Sequence, residues 1–113
     1  MGAAGYRDHI VVCGWNSTAR ELISELGGDE YATKIVLIHS GDKNPAGNGV
    51  FCVSGDVTRA DDLRRAGIEE AMAAVVCPAD ASNEADMRSI LAVMAIESIA
   101  PHVRTVVEAN NPD

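Results

Sequence analysis

Basic residues are scarce in this sequence. Nine Lys and Arg stand against seventeen Asp and Glu, a net charge of −8, and such a surface repels nucleic-acid phosphates rather than gathering them. Aromatics are scarcer, with one Trp, one Phe and two Tyr, so any core must be aliphatic. No apolar run approaches the roughly 20 residues that a membrane-spanning helix needs. The opening "MGAAGYRD" lacks the apolar stretch of a signal peptide, and Tyr6 stands where myristoylation wants Ser or Thr. The three cysteines, Cys13, Cys52 and Cys77, form no CxxC pair, and His9, His39 and His102 are scattered, so no zinc set is visible. Each cysteine lies in or at the end of an apolar run, as small buried hydrophobes in a reducing cytosol do.

What is present is a core. At 113 residues and 47% hydrophobic composition the chain suits one compact domain. Apolar runs alternate with helical patterns. "HIVVC" (9–13), "KIVLIH" (34–39), "VFCVSG" (50–55), "AAVVC" (73–77) and "VRTVVEA" (103–109) read as strands. They are continuous rather than alternating, which marks a parallel sheet covered on both faces. A helix follows the first strand, capped by Asn16 or Ser17, running to about Leu26 and stopped by Gly27-Gly28. A short helix follows the third strand, with Thr58 as its expected cap and Leu63 inward. A long one runs from about Ser82 to Ser98. The expectation is an α/β, doubly wound parallel sheet of Rossmann type, ordered 3-2-1-4-5. The polar loop 40–49 must make the second crossover. The chain stops just past the fifth strand, where such sheets usually add a sixth, so a fragment of a longer protein is expected.

In the long helix, Met87, Ile90, Leu91 and Met94 fall at i, i+3, i+4, i+7 and are expected to pack on the sheet. Ala92, Val93, Ile96 and Ile99 make a second stripe, expected to form a protein–protein interface.

The turn "CGWNSTA" (13–19) sits where a dinucleotide fold holds pyrophosphate. Only Gly14 of the usual three glycines is there; Asn16 and Ala19 replace the others. Asn tolerates a left-handed backbone best among non-glycine residues. Asn16, Ser17 and Thr18 place donors beside a helix N-terminus, where an anion can sit. At the end of strand two, His39 and Ser40 stand where a ribose-binding carboxylate is expected, and either can donate to a ribose or phosphate oxygen. A turn that merely connects, and an exposed strand-end histidine, are the plain alternatives. No nucleophile–base pair and no Tyr-x-x-x-Lys pair is visible, so no enzyme is expected.

The "CGWN" turn, the block "GDVTRADDLRRAGIEEAMAAVV" (55–76) and "RTVVEA" (104–109) together resemble the N-terminal half of an RCK domain, the regulator of potassium conductance, and the related TrkA-type subunits of potassium uptake systems. The resemblance implies a cytoplasmic ligand-sensing module at the inner face of the membrane. It implies a homo-oligomer, a dimer or ring of such domains, coupled to a channel pore or transporter subunit. It implies a ligand site at Gly14, Trp15, Asn16, Ser17, Thr18, His39 and Ser40. Asp56, near the adenine in nucleotide-binding relatives, joins it; the alternative for Asp56 is a cap on the short helix. An adenine mononucleotide (AMP, ADP or ATP) or another small anion, held at Gly14 to Thr18, is the expected ligand, with NAD disfavoured by His39. Calcium-activated members use an acid at the end of strand four and two after strand five. Here those positions are Cys77, Glu108 and Asn110, with Asp80 a substitute for the first, which implies at most a weak calcium site at Glu108 and Asp80. A small NAD-dependent oxidoreductase domain, or a structural Rossmann domain with a decayed site, are the competing readings.

Overall fold

The computed structural model describes residues 6–27, 34–47 and 49–108. Five short strands, β1 (Ile10–Cys13), β2 (Ile35–His39), β3 (Phe51–Ser54), β4 (Ala73–Val76) and β5 (Arg104–Val107), form one sheet in the order β3-β2-β1-β4-β5. Every pairing is parallel, with Val12 facing Leu37 on one side and Val75 on the other. The expected order and sense are both present. β-Branched runs make these strands because both faces of a parallel sheet must be apolar.

Three helices cover the sheet: α1 (Ser17–Gly27), α2 (Ala60–Arg65) and α3 (Asn83–Ile99), with a single 3-10 turn at Ile68–Glu70. Alternate strand residues feed two cores. Val12, Ile35 and Leu37 meet Ala19 and Ile23 of α1. Val11, Val36, Ile38, Val53 and Val76 meet Leu63 of α2 and Ala92 and Ile96 of α3. His9 is buried in this second layer, its Nε2 3.0 Å from the Ala66 carbonyl.

Three local expectations need correction. Thr58 does not cap α2: the cap position is Arg59, without a side-chain bond, while the Thr58 amide and hydroxyl both donate to Asp56 at 2.9 and 2.7 Å. Asp56 thus folds a tight turn before the helix begins. Asn16 is not left-handed; among the described residues Asp8 alone of the non-glycines has a positive φ. Asn16 does cap α1, one of the two caps expected, its Oδ1 accepting from the Ala19 amide at 2.8 Å.

The stripes of α3 are exchanged. Ala85, Ser89, Ala92 and Ile96 are buried, while Met87, Ile90, Leu91 and Met94 are exposed. Val93 and Ile99 are half-buried against the core. Small residues let the helix axis approach the sheet closely, and the larger side chains cannot share that face. Gly28 and Asn110 lie outside the described residues.

Candidate functional site

The sheet order reverses between β1 and β4, and there the carboxyl ends of the strands splay into a crevice. A cleft of about 480 Å³ opens at this point. Gly14 and Trp15 from β1 form its floor and one side. His39, Ser40 and Gly41 after β2, and Gly55 and Val57 after β3, close another. Pro78 to Asp80 and the α3 residues Glu84, Arg88 and Ser89 form the far wall. Its size and mixed lining suit a small organic ligand.

Gly14 is required by two independent constraints. Its φ is +101°, and a Cβ there would stand 2.2 Å from the Cys77 carbonyl oxygen. The turn therefore presses against the end of β4, held by the Gly14 amide on Ile38 O (2.8 Å) and the Cys77 amide on Cys13 O (2.8 Å). Trp15 leans out of this turn. Arg20 lies 5.7 Å over its ring, and a second groove of about 420 Å³ opens on its other side, toward Pro45 and Val50.

Of the residues expected at the site, Gly14, Trp15, His39, Ser40 and Asp80 line the cleft. Asn16 and Thr18 turn away from it, toward β5. Asn16 Nδ2 donates to Glu108 Oε1 at 2.7 Å and to Pro78 O at 2.8 Å, and Thr18 Oγ1 donates to Glu108 Oε2 at 2.6 Å. Ser17 is exposed at the start of α1. Asp56 sits behind Val57, where its Oδ1 accepts from Thr58 and, at 2.8 Å, from Arg88. The Thr58 hydroxyl and amide, with the Arg88 guanidinium, hold the Asp56 carboxyl below its ordinary range.

His39 is spent on its own loop. Its Nδ1 accepts from the Gly41 amide at 3.2 Å and its Nε2 lies 2.8 Å from Lys43 O. The ring organises the turn after β2, so its value as a ribose donor is reduced to its edge. The two acids expected to hold calcium are also engaged: Glu108 with Asn16 and Thr18, and Asp80 with the Ser82 amide at 2.8 Å. Hydrogen bonds from Ser82 lower the Asp80 pKa. Among the described residues no three His, Cys, Asp or Glu gather as a metal set.

Cys77 borders the cleft, but burial, with a smaller push from the Glu108 charge, raises its thiol to about 11. Burial raises Cys13 beneath it to about 12. Both are protonated at neutral pH and are weak nucleophiles. Sequence reasoning missed Arg88 and Ser89, because the expected packing of α3 put the wrong face toward the cleft. It also missed the tie between Asn16 and Glu108. These lie 92 positions apart, and only the adjacency of β1, β4 and β5 brings them together.

A five-stranded parallel sheet ordered β3-β2-β1-β4-β5, with a cleft at its switch point and a glycine turn after β1, defines a Rossmann-type fold. The comparisons with known proteins narrow the class. A family model described as the calcium-activated potassium channel slowpoke-like RCK domain matches residues 5–107, and the chain belongs to that family. It is 30% identical over 111 residues to the calcium-gated potassium channel TvoK of Thermoplasma volcanium, a match covering 93% of this chain and 32% of that protein. The chain therefore spans about a third of the length of that relative. Among solved structures, the GsuK channel bound to NAD superposes with a TM-score of 0.79 at 17% identity, over 96% of this chain and 19% of that one. The human SLO3 gating ring superposes with a TM-score of 0.65 at 21% identity, over 88% and 19%. At these identities the two structures establish the fold. No helix among the described residues is long and apolar enough to cross a membrane.

Proposed function

We propose that this chain is a ligand-sensing regulatory domain of a potassium channel, working at the cytoplasmic face of the membrane and assembling with further copies of itself. The observation that carries the reading is the cleft at the β1/β4 switch point. Its volume and mixed lining support binding of a small ligand. Cys77 is held as a thiol, and both nitrogens of His39 face backbone. Regulation needs binding energy that differs between two states of an assembly, not chemistry. The ligand class this reading assigns to the cleft is an adenine nucleoside or mononucleotide, for whose ring Trp15 and Val57 of the lining are the apolar partners.

Assembly is supported by the outer face of α3. Met87, Ile90, Leu91 and Met94 are all exposed on α3, and Val107 of the edge strand β5 is exposed on the same side of the sheet. A contiguous apolar patch on a folded surface marks an interaction site. A ring of such domains, as the name of the SLO3 gating ring describes for that protein, would cover it.

A dinucleotide is the second reading, favoured by the GsuK channel, whose structure is described as bound to NAD. Against it, β2 ends in His39 rather than a carboxylate. Calcium, for which TvoK is named, would have Glu108 and Asp80 to offer, both already hydrogen-bonded. Calorimetry with AMP, ADP, ATP, NAD and calcium chloride separates these. Binding of a mononucleotide tighter than NAD, abolished by Trp15→Ala, is the expected result. NAD as the tightest ligand would replace the first reading with the second, and heat from none of them would end both.

A further inference from the structure

Ser89 is unlike the residues around it. It belongs to the buried stripe of α3, where Ala85, Ala92 and Ile96 are apolar, and only 7% of it is exposed. A serine inside a helix often returns its hydroxyl to the carbonyl four residues back. Ser89 does not do so, and among the described residues its hydroxyl has no hydrogen-bond partner. A buried polar group left unpaired costs stability. Ser89 lines the cleft, so a ligand there is what its hydroxyl can meet.

Arg88 stands next to it and is the one Lys or Arg of the cleft lining. Its Nη2 donates to Asp56 Oδ1 at 2.8 Å, and the rest of its planar fork of donors has no partner among the described residues. The turn after β1 has less to offer the same cleft. The Gly14 amide is spent on Ile38 O, Asn16 and Thr18 donate to Glu108, and neither they nor Ser17 line the cleft. The cation and the unpaired buried hydroxyl are both on α3. Asp80 and Glu84 line the same wall, but both are exposed, where water and salt screen them.

We propose that Arg88 and Ser89 form the oxyanion site of the cleft, so that a ligand phosphate is held by α3 and not by the turn after β1. The guanidinium supplies charge and a fork of donors, and the hydroxyl supplies a further donor. The site rests on the adenine reading for the remainder of the ligand, and it selects the mononucleotide over the nucleoside. The same helix exposes Met87, Ile90, Leu91 and Met94, so the phosphate and the surface proposed for assembly sit on one element.

The test titrates AMP, adenosine and inorganic phosphate, without divalent cations, against wild type, R88Q, R88K, S89A and D56N. Calorimetry gives the affinities, and backbone amide spectra follow Arg88 and Ser89. AMP should bind R88Q roughly tenfold or more weaker than wild type, and S89A roughly threefold weaker. R88K should fall between wild type and R88Q, with adenosine alike in all. D56N breaks the ion pair but keeps the cation, so its AMP affinity should be no weaker than wild type. Inorganic phosphate should move the Arg88 and Ser89 amides in wild type and not in R88Q. Equal AMP affinity in wild type and R88Q overturns the proposal. So does an equal loss in R88Q and D56N, which would mean that the arginine acts only by holding the loop after β3. Should R88Q fail to fold, R88K and S89A decide, and wild-type affinity in both overturns it. Adenosine and AMP binding wild type alike removes the phosphate site and leaves the adenine reading. Phosphate moving Ser89 in wild type but not in R88Q, with AMP no tighter than phosphate and adenosine not binding, removes the adenine reading and leaves the site. Binding of none of the three ends both.

Discussion

Helices α1 and α3 flank opposite faces of one sheet, and they leave opposite kinds of side chain exposed. α1 places Ala19 and Ile23 inward, supports them with half-buried Leu22 and Leu26, and exposes Arg20, Glu21, Ser24 and Glu25. α3 places Ala85, Ser89, Ala92 and Ile96 inward and leaves Met87, Ile90, Leu91 and Met94 in solvent. In α1 hydrophobicity decides which face is buried. In α3 three of the four buried residues are Ala or Ser, and Ile96 is the one large side chain that the sheet accommodates. The apolar surface left over is then available to something else. One helix buries its apolar face within its own domain; the other keeps a large apolar face exposed.

Substitutions can break this contrast, and the largest effect should fall on Ile96. It is fully buried between the sheet and α3, so Ile96→Ala should cost about 2–5 kcal/mol, transfer and cavity terms together. Ile23→Ala on α1 belongs to the same range, at its lower end, because Ile23 touches the surface. Urea unfolding of both variants checks this. If Leu91→Ala destabilised the chain as much as Ile96→Ala, the assignment of faces would be wrong.

Overpacking gives the next effect. Ala92 has no exposed surface, and Ala92→Leu should push α3 off the sheet at about 1–3 kcal/mol. An amphipathic reading of the sequence would predict no such loss. The same change at Ala95, which is only half-buried, should be tolerated better. Thermal melts of the two leucine variants make the comparison directly.

A smaller effect depends on pH. α3 is tied to the loop after β3 by Arg88 on Asp56, and Asp62 in α2 accepts from the Asp56 amide at 2.8 Å. The Thr58 bonds and Arg88 lower the Asp56 pKa; the Asp56 amide, then Arg65, lowers that of Asp62. Both carboxyls therefore take up protons more readily in the unfolded chain than in the folded one. Their contribution is fully present above the unfolded carboxylate pKa of about 3.9. It is lost as the pH falls through the lower folded values. Both groups are partly exposed, so screening keeps the effect small. The slope of Tm between about pH 5 and pH 2 should flatten in Asp62→Asn, and amide exchange at the start of α3 should rise before that in α1. An unchanged slope would show that these carboxylates do not stabilise the loop.

The sheet was legible in the sequence because its signal is local and redundant. "IVVC", "IVLI" and "AAVV" are apolar on both faces, and only a covered parallel sheet accommodates several such runs. Gly14 was legible for the same reason, since a strand that must turn at once into a helix needs a residue free of Cβ. The site was less so. Trp15, His39 and Ser40 follow from their places at strand ends. Asn16 and Thr18 have their roles decided by Glu108, and Asp56 by Arg88 on another element; no spacing in the chain announces such partners. The faces of α3 were misread because periodicity reports which residues share a face, not which face the sheet has room for.

The smallest change in stability, and the most informative about the contrast, should come from Met94. Its side chain is 62% exposed on the outer stripe of α3, so Met94→Lys removes little that the folded monomer buries. Its effect on unfolding should stay within about 0.5 kcal/mol. Association should respond differently. If copies of the chain meet through this stripe, a lysine there places an unpaired charge at the centre of an apolar contact, which is costly to desolvate. Sedimentation across a range of concentrations should then show wild type associating and the variant monomeric, with the two melting curves superimposed at low concentration. Glu21→Ala on α1, also exposed but on the opposite face of the sheet, is the control and should change neither measurement. A wild type that stays monomeric throughout would mean that α3 is covered by some other surface. A Met94→Lys variant that unfolds would mean that the stripe is core after all, and that α1 and α3 obey one rule.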